Sequence, residues 1–493
     1  MKCSVTLLVV LCLLTSSRAV VGEDRPNVLF IAVDDLNDWL GCYGGHPQVK
    51  TPNIDRLAKR GVLFSNAHCA APLCNPSRAA VFSGRQPLET GVLANDGANI
   101  RRLRPDLPLI PQHFKAAGYR TCGTGKLLHQ TAKGLFDDEF FPGQRWSPFS
   151  PEQVKYSQVE LPSKGTENPR HVTRLNGREV VLPLNGMPSD RNPDTFDGES
   201  FDWGPLDVDD NEMGDGQIAD WAAQRLLTTH DQPFFMAVGF YRPHIPLFAP
   251  RKYFDLYDGL DIELPELNPD DLNDLSPVAR ERALAAETAG LHATVVSHNQ
   301  WSAAVKSYLA CISFIDAQVG KLLDALDASP HAGNTVIVFW SDHGWHLGEK
   351  QHWGKWTGWE RSTHVPLIIS APPTPTFSTP ARDAKCAEPV SLLDLYPTLI
   401  DLCGLPPIDD LAGTSLQPLL KAPATPTGRA VLTTFDAGNY SVTDARWHYI
   451  RYADGSEELY DRHRDPKEWT NLALRPEHAD QKARLALHLP DEN

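Results

Sequence analysis

Residues 28–35 read VLFIAVDD, a continuous apolar run that ends in two adjacent acids. Three of the six apolar residues are β-branched, which favours an extended chain. An uninterrupted run of this length is typical of a strand that is buried on both faces, as in a parallel sheet. We therefore expect a central strand at 28–33, with Asp34 and Asp35 at its carboxyl end.

Strand-like and helical patterns alternate along the chain after this run. Residues 234–240 and 335–340 are short apolar runs like the first, and apolar residues at helical spacing cover 308–326. Residues 51–61 begin with Thr-Pro and end with Gly, which is typical of one short helix. The alternation predicts an α/β fold with a mainly parallel sheet, in which ligands bind at the carboxyl ends of the strands.

The remaining stretches have weaker patterns. Residues 131–210 and 250–300 are rich in Pro, Asp and Gly, and long insertions of this kind in an enzyme are usually functional loops or lids. A Pro-rich linker is expected at 422–428. Beyond it, short strand-like runs predict a small antiparallel sheet: 430–434, 447–452 and 458–460.

Composition and the amino terminus indicate a soluble, exported protein. The 493 residues carry a formal net charge of −16 and no polybasic run, which argues against nucleic acid or an anionic membrane as a partner. Lys2, an apolar run at 5–14 and small residues at 15–19 predict a signal peptide over 1–22 and no membrane span. Seven cysteines remain beyond it, an odd number without metal-binding spacing, and no disulfide is assigned.

Cys74 begins the first cluster that suggests chemistry. Residues 74–78 read Cys-Asn-Pro-Ser-Arg, and Pro76 is tolerated only in the first turn of a helix, so Cys74 should lie at the cap. A helix start offers free N–H groups to an anion, and Arg78 lies on the same face as Cys74. An isolated pair of this kind is usually a buried thiol beside a surface arginine. The spacing of Cys74 and Arg78 is too short for a tyrosine-phosphatase loop.

Acids follow two of the predicted strands. Asp34 and Asp35 follow the first strand, and Asp342 and His343 follow the strand at 335–340. Acids at a buried strand end are unfavourable unless a cation or hydrogen bonds compensate them. Three carboxylates and an imidazole suit a hard divalent ion, and Mg²⁺, Mn²⁺ and Ca²⁺ all stay open on chemistry alone. The alternative is that Asp34 and Asp35 only cap a helix.

Basic residues lie in three further loops. Lys126 and His129 follow a predicted strand at 119–122. His244 has a proline on each side, which fixes its backbone, and Lys355 lies among tryptophans shortly after Asp342. Each of these residues alone would be an ordinary surface or structural residue. Their combination with the acids and Cys74 makes them site candidates.

The set of clusters resembles the type I sulfatase family. Cys-x-Pro-Ser-Arg at 74–78, followed by Gly-Arg at 84–85, is similar to the signature of that family. The resemblance implies an alkaline-phosphatase-like α/β domain, expected here at 23–425, and a small domain with an antiparallel sheet at 426–493. It also implies a sulfuric ester hydrolase in which a maturation enzyme has oxidised the cysteine to formylglycine.

The resemblance further implies a role for each candidate residue. One Ca²⁺ per site is held by Asp34, Asp35, residue 74, Asp342 and His343. The charge of the sulfate is neutralised by Arg78, Lys126 and Lys355. One hydroxyl of the formylglycine hydrate attacks sulfur, His244 protonates the departing alcohol, and His129 takes the proton of the second hydroxyl as sulfate leaves.

Within the family, the chain most resembles iduronate-2-sulfatases. The similar segments are 242–246, 341–349 and 363–367. They imply that the substrate is a sulfated carbohydrate with a 2-O-sulfate on a uronic acid. The carboxylate of such a sugar is expected to contact Arg242, His346 and His352. A single N-glycosylation sequon, at 439–441, favours bacterial export, periplasmic or secreted, over an animal lysosome.

Two other functions stay open at this point. A phosphomonoester or phosphonate hydrolase of the same fold would share the metal and the cations, although phosphatase relatives generally have Ser or Thr where Cys74 stands. A non-catalytic protein that binds sulfated glycans is expected to have lost at least one cluster, and every cluster is present. Release of free sulfate compared with free phosphate separates these functions.

Overall fold

The computed structural model describes residues 25–155, 159–160, 170–191, 200–374 and 377–490. The signal peptide expected at 1–22 lies outside these residues. Within them, no helix combines the length and the apolar character needed to cross a membrane. The seven cysteines beyond the expected signal peptide all lie in the described residues, and none of them forms a disulfide there: Cys42, Cys69, Cys74, Cys122, Cys311, Cys386 and Cys403.

Strands and helices alternate through most of the chain. The strands are β1 Asn27–Val33, β2 Val62–Phe64, β3 Ala67–His68, β4 Arg120–Gly125, β5 Asp138–Phe140, β6 Val159–Glu160, β7 Arg170–Leu175, β8 Arg178–Leu182, β9 Trp203–Leu206, β10 Phe234–Phe240, β11 Leu247–Pro250, β12 Thr335–Ser341, β13 His346–Leu347, β14 Trp353–Gly354, β15 Leu367–Ser370, β16 Ala384–Cys386, β17 Val390–Ser391, β18 Val431–Asp436, β19 Asn439–Thr443, β20 Trp447–Arg451 and β21 Glu457–Asp461. The α-helices are α1 Pro52–Ala58, α2 Cys74–Ser83, α3 Pro87–Thr90, α4 Ile100–Leu103, α5 Ile110–Ala116, α6 Pro151–Lys155, α7 Gly214–Leu226, α8 Arg251–Asp255, α9 Pro277–Ala283, α10 His292–Ser297, α11 Trp301–Asp327, α12 Glu360–Thr363, α13 Leu395–Cys403, α14 Gln417–Lys421 and α15 Ala479–Ala486.

The first strand lies inside an eight-stranded sheet with the order β16-β2-β15-β12-β1-β10-β4-β5. β10 and β12 flank β1 and run parallel to it, and β4 and β5 continue the parallel arrangement beyond β10. β15 runs antiparallel to both of its neighbours, β12 and β2. The expected α/β fold with a mainly parallel sheet is confirmed, and β15 is a reversed strand that the sequence did not predict.

Alternate residues of β1 belong to two hydrophobic clusters, one on each face of the sheet. Leu29, Ile31 and Val33 pack with apolar residues of α7 and α11. The intervening residues of β1 pack with α2, α5 and α13 on the other face. Because all seven residues of the strand are buried, its sequence shows no alternation of polar and apolar residues. The helix expected at 308–326 is α11, which begins earlier, at Trp301.

The carboxyl-terminal part of the chain forms a separate four-stranded antiparallel sheet, β18 to β21. The three predicted runs correspond to β18, β20 and β21, while β19 was not predicted. Trp359 Nε1 donates to a carboxylate oxygen of Glu458 at 2.8 Å, and Thr434 N donates to the carbonyl of Ala70 at 2.9 Å. The small sheet therefore packs against the loop that leads to Cys74. The domain boundary at 425/426 stays a prediction.

Candidate active site

Four neighbouring strands of the large sheet bring polar residues to one edge. Asp34 and Asp35 follow β1, Asp342 follows β12, Lys126 follows β4, and His244 lies in the loop after β10. These four strands are adjacent and parallel, so their carboxyl ends meet at the same edge of the sheet. The structure thus joins residues that are far apart in the sequence, at the edge where the fold was expected to bind its ligand.

Helix α2 carries Cys74 to the same edge. Pro76 lies in the first turn of this helix, as the sequence predicted, but the cap is Leu73, and Cys74 is the first helical residue, one position beyond the predicted cap. Ser77 Oγ donates to the carbonyl of Asp342 at 2.6 Å, which joins the start of the helix to the end of β12. The start of α2 therefore lies at the site. The N–H of Asn75 donates to Asn95 Oδ1 at 2.9 Å and Pro76 has no N–H, so the positive end of the helix dipole is what favours an anion here.

Positively charged groups surround the Cys74 sulfur. Lys355 Nζ lies 2.9 Å from Sγ, and His343 Nε2 lies 3.3 Å from it. His129 is a further group that favours negative charge on the thiol. Burial alone raises the pKa of Cys74, but Lys126, Lys355 and His343 lower it well below its usual value. The surroundings of residue 74 therefore stabilise negative charge.

Arg78 connects two of the acids. Its Nε donates to Asp342 Oδ2 at 2.8 Å, and its Nη2 lies 3.3 Å from Asp34 Oδ1. Its Nη1 donates to the carbonyls of Lys126 and Leu127. The side chain is completely buried. Arg78 therefore braces the acids against the Lys126 loop, and its contact with sulfate stays a prediction.

Lys126 lies between an acid and an aromatic ring. Its Nζ forms an ion pair with Asp34 and lies 4.7 Å from the centre of the Tyr241 ring. The Tyr241 ring is in turn 4.6 Å from the His244 ring, centre to centre. Tyr241 was not predicted as a site residue. Its position directly after β10, three residues before His244, is the signal in the sequence that could have identified it.

His244 presents one ring nitrogen to the site. Its Nδ1 donates to the carbonyl of Ile245 at 2.6 Å, so Nε2 is the nitrogen that faces the acids, 3.9 Å from Asp35 Oδ2. Burial lowers the pKa of His244 to about 3, and the charges of Lys355 and Lys126 act in the same direction. The imidazole is therefore neutral at physiological pH while the site holds no substrate.

Asp35 is held in an unusual backbone conformation. Its φ is 59°, in the left-handed region that Asp tolerates better than most residues. The Tyr308 hydroxyl donates to the Asp35 carbonyl at 2.7 Å and accepts from the N–H of Asn37 at 2.9 Å. Tyr308 lies at the start of the helical stretch expected at 308–326, and its contact with Asp35 was not predicted. A helix on one face of the sheet thus fixes the strand end that carries Asp35.

The donor atoms of the site fit a divalent cation. Asp34, Asp35, Cys74 and His343 each offer one ligand atom, and these atoms all lie within 4.8 Å of one another. Asp35 Oδ2 is buried and has no hydrogen-bond partner among the described residues. Burial raises the pKa of Asp35 to about 7, although Lys355 opposes the rise. A buried carboxylate oxygen without a partner, beside an imidazole and a second carboxylate, is what a bound cation would satisfy.

Asp342 is the predicted metal ligand that does not belong to this group of four. Its Oδ2 accepts from Arg78, and its Oδ1 accepts from the backbone N–H groups of Asp35 and His343 at 3.2 and 3.1 Å. Burial raises the pKa of Asp342 to about 6, although Arg78 opposes the rise. Asp342 therefore fixes the positions of the other ligands, and direct ligation by its own oxygens stays a prediction.

Arg242 does not face the site, contrary to the expectation that it binds a substrate carboxylate. Its side chain is completely buried. The guanidinium donates only to backbone carbonyls in the part of the chain that the structure describes: Phe248, His244, Arg145 and Ser147. The expectation failed because closeness to His244 in sequence does not fix the direction of a side chain.

His346 and His352 are also turned away from substrate. Both are buried, and their rings lie 5.1 Å apart, centre to centre. His346 Nε2 hydrogen-bonds Thr357 Oγ1 at 3.1 Å, and His352 Nδ1 donates to the carbonyl of Ala283 at 3.0 Å. Burial lowers the pKa of both imidazoles, so they are neutral and carry no charge for a carboxylate. They support the Lys355 loop instead.

Two family models together match the chain from residue 26 to its end. The sulfatase family matches residues 26–405. The family described as N-sulphoglucosamine sulphohydrolase, C-terminal, matches residues 348–493. The first match contains every residue of the candidate site.

Curated sulfatases are similar to this chain over most of its length. A sulfatase of Formosa agariphila is 37% identical over 459 residues, which cover 91% of this chain and 83% of the relative. The iduronate 2-sulfatase of Homo sapiens is 33% identical over 422 residues, covering 79% of this chain and 71% of the relative.

A solved structure shares the whole fold. The phosphonate monoester hydrolase of Silicibacter pomeroyi has a TM-score of 0.71 at 22% sequence identity and covers 94% of each chain. The alkaline-phosphatase-like architecture with its small antiparallel sheet is thereby confirmed, and this likeness shows the fold alone. The family matches and the identity to curated sulfatases go further: this chain belongs to the sulfatase family.

Proposed function

We propose that this protein hydrolyses sulfate esters of carbohydrates, with formylglycine made from Cys74 as the nucleophile. The observation that carries the proposal is the position of Cys74 at the start of α2, with Lys355 2.9 Å and His343 3.3 Å from its sulfur. An aldehyde hydrate at this position would carry a hydroxyl where the surroundings stabilise negative charge. A maturation enzyme is then required as a partner.

A calcium ion is the cofactor that we propose for the site. Asp34, Asp35, residue 74 and His343 would hold it, with Asp342 as the fifth candidate. When bound, the ion supplies positive charge that orients a sulfate ester and acidifies a nearby hydroxyl. Carboxylate donors favour a hard cation, and the family resemblance favours Ca²⁺ over Mg²⁺ and Mn²⁺.

Two lysines are proposed to neutralise the charge of the sulfate. Lys126 forms an ion pair with Asp34, and Lys355 forms one with Asp35. Burial would favour loss of their protons, yet the neighbouring carboxylates raise the pKa values of both lysines, so they stay charged. Fixed charges of this kind stabilise a transition state without reorganisation. Arg78 adds a third positive charge to the site, and it forms ion pairs with Asp34 and Asp342.

Proton transfer is assigned to two histidines. Nε2 of His244 faces the site, and we propose that it protonates the departing sugar alcohol. The imidazole by itself is neutral at physiological pH, and the negative charge of a bound sulfate ester would favour its protonation by offsetting Lys355 and Lys126. His129, which favours negative charge on residue 74, is proposed to take the proton of the second hydroxyl when sulfate is expelled.

The proposed substrate is a 2-O-sulfated uronic acid at the end of a carbohydrate chain. The human relative that supports it is an iduronate 2-sulfatase. The segments at 242–246, 341–349 and 363–367, on which the sequence resemblance rests, favour the same substrate. To test which sugar the enzyme prefers, sulfate release from a 2-O-sulfated, iduronate-terminated disaccharide is compared with release from a 6-O-sulfated hexosamine. A preference for the hexosamine would reject the uronate and leave the sulfatase assignment unchanged.

A phosphonate or phosphomonoester hydrolase is the rival, because such an enzyme shares the fold. Matched sulfate, phosphate and phosphonate esters of p-nitrophenol separate the two functions. The proposed function requires that free sulfate is released with the highest kcat/KM. Faster cleavage of the phosphate or phosphonate ester would overturn it.

Export is inferred from the signal peptide predicted at 1–22, with the periplasm or the medium as the destination. Asn439, the residue of the only sequon, supports a bacterial rather than a glycosylated animal protein. Its amide donates to the carbonyl of Ala437 at 3.2 Å and accepts from the N–H of Ala453 at 3.1 Å, and only 7% of the residue is exposed. N-terminal sequencing of protein recovered from the periplasmic fraction tests the cleavage.

A further inference from the structure

Asp215 is a buried acid at the start of α7 that the proposed chemistry does not use. Its Oδ1 accepts from the N–H of Tyr241 at 2.7 Å, and its Oδ2 accepts from the N–H of Arg242 at 3.1 Å. These are the two residues that directly follow β10. One carboxylate therefore fixes the backbone at the point where the chain leaves the sheet for the loop that contains His244.

The side chain of Arg242 folds back over the same loop. Its Nη1 donates to the carbonyl of His244 at 3.3 Å, and its Nε donates to the carbonyl of Phe248 at 2.9 Å. The guanidinium is planar and rigid, and the whole side chain is completely buried. One side chain therefore holds the loop both at His244 and at its far end.

Tyr241 holds His244 from the side of the ring. The two rings lie 4.6 Å apart, centre to centre, and the carbonyl of Tyr241 accepts from the N–H of His244 at 2.9 Å. The hydrogen bond of His244 Nδ1 to the carbonyl of Ile245, at 2.6 Å, leaves Nε2 facing the acids of the site. The direction of Nε2 therefore depends on the backbone at 241–245, which Asp215 and Arg242 fix.

The insertion between β5 and α6 supports both residues. Nη2 of Arg242 donates to the carbonyl of Arg145 at 3.1 Å and to that of Ser147 at 3.3 Å. Gln144 Nε2 donates to Asp215 Oδ1 at 3.2 Å. Asp215 and Arg242 are therefore both tied to the segment 144–147, which belongs to the stretch for which the sequence predicted functional loops.

We infer that Asp215 and Arg242 are positioning residues that hold Nε2 of His244 towards the leaving oxygen of the substrate. Both act through His244, and the inference rests on the proposed function, in which His244 protonates the departing alcohol. Proton transfer needs its donor within hydrogen-bond distance of the acceptor, so a small displacement of the imidazole slows this step. A sulfate ester whose alcohol leaves without a proton does not depend on the direction of Nε2.

The test compares Asp215→Asn and Arg242→Lys with wild type on two substrates, as full-length, matured enzyme. Asn keeps one acceptor oxygen and loses the second, and Lys keeps the charge but lacks the planar fork of donors. A sulfated sugar that the wild type cleaves requires proton donation, and p-nitrophenyl sulfate does not. Arg225→Lys is the matched control, because Arg225 lies at the other end of α7, paired with Asp138 and 3.6 Å from the centre of the Trp221 ring.

Asp215→Asn and Arg242→Lys are each expected to lower kcat for the sugar sulfate about tenfold to a hundredfold with little change in KM, because a displaced imidazole transfers its proton more slowly. The rate of both variants on p-nitrophenyl sulfate should stay close to that of wild type, which also shows that they are folded. Arg225→Lys should change neither rate.

A double variant shows whether the effect passes through His244. Asp215→Asn in the His244→Gln background should cause no further loss on the sugar sulfate, because residues that act as one unit are not additive. Equal losses on both substrates, a further loss in that background, or no loss in either single variant would overturn the inference. If His244→Gln by itself lowers both rates equally, the assignment of the general acid fails, and the inference fails with it.

Discussion

Arg78 and Asp342 form a completely buried ion pair, with Nε 2.8 Å from Oδ2, at the point where α2 meets the end of β12. The same guanidinium also reaches Asp34, so one cation compensates two carboxylates that lie beside the nucleophile position. A buried acid without its partner is strongly unfavourable. This brace therefore fixes the site and contributes to the stability of the large domain.

Arg78→Ala is expected to lower the free energy of unfolding by about 3–5 kcal/mol, because the buried Asp342 carboxylate loses its ion-pair partner and Asp34 keeps only Lys126. Arg60→Ala removes a surface ion pair with Asp327 and should change the free energy of unfolding by less than about 1 kcal/mol. Urea denaturation followed by tryptophan fluorescence measures both. Equal stability of the two variants would show that Arg78 does not brace the acids.

His244→Gln tests the assignment of the general acid through the leaving group. Loss of proton donation should lower kcat for a sugar sulfate by about a hundredfold to ten-thousandfold. p-Nitrophenyl sulfate has a leaving group that departs without a proton, so its rate should fall much less. Steady-state kinetics on both substrates decide the matter, and equal losses would mean that His244 only shapes the site.

Asp35→Asn tests the cation site. Calcium at a hundredfold excess over its Kd should stabilise the wild type by about 2.7 kcal/mol, and Mg²⁺ should do so less well. The variant loses a charged ligand of the site and should not respond. Thermal unfolding with and without Ca²⁺ gives this readout independently of activity, with Asp327→Asn as the surface control. Full activity of protein freed of metal by a chelator would contradict the assignment.

Asp316 provides a prediction on pH. It lies in α11, and its Oδ1 accepts from the N–H groups of Asn53 and Ile54 at the start of α1. Burial raises its pKa from 3.8 to about 6, although these hydrogen bonds oppose the rise. Because the folded value lies above the unfolded one, the contribution to stability is complete below about pH 4 and is lost as the pH rises through about 6.

An asparagine side chain does not titrate, so the Asp316→Asn variant lacks this pH dependence. Relative to wild type, the variant should therefore gain up to about 3 kcal/mol of stability between pH 4 and pH 7. Denaturation curves of both proteins across this range give the difference. A difference that stays constant with pH would place the folded pKa of Asp316 at its ordinary value.

Residues whose environment follows from local pattern were predictable from the sequence. The run at 28–33 lies within β1, the run at 234–240 coincides with β10, and α2 begins with Pro76 in its first turn, one position beyond the predicted cap at Cys74. In each case the physical cause, burial on two faces or a proline in a first turn, acts within a few residues.

Residues whose role depends on side-chain direction or on distant partners were not predictable. Arg242 and His352 are close to the site in sequence, but hydrogen bonds to backbone carbonyls turn them inward. The contact of Tyr308 with Asp35 was not predicted, because it joins positions 273 residues apart. β15 runs antiparallel to β12. This direction was not predicted, because the pairing of a short apolar strand is set by the chain around it and not by its own pattern.

The central claim is that residue 74 becomes the nucleophile of a sulfatase. The most direct measurement is mass spectrometry of the peptide that contains residues 74–78, from protein produced together with a maturation enzyme and assayed for sulfate release in the same preparation. The account predicts an aldehyde at position 74, in a fraction that rises in proportion to activity, and no sulfate release by Cys74→Ala. Full activity of protein with an unmodified thiol at position 74 would contradict it.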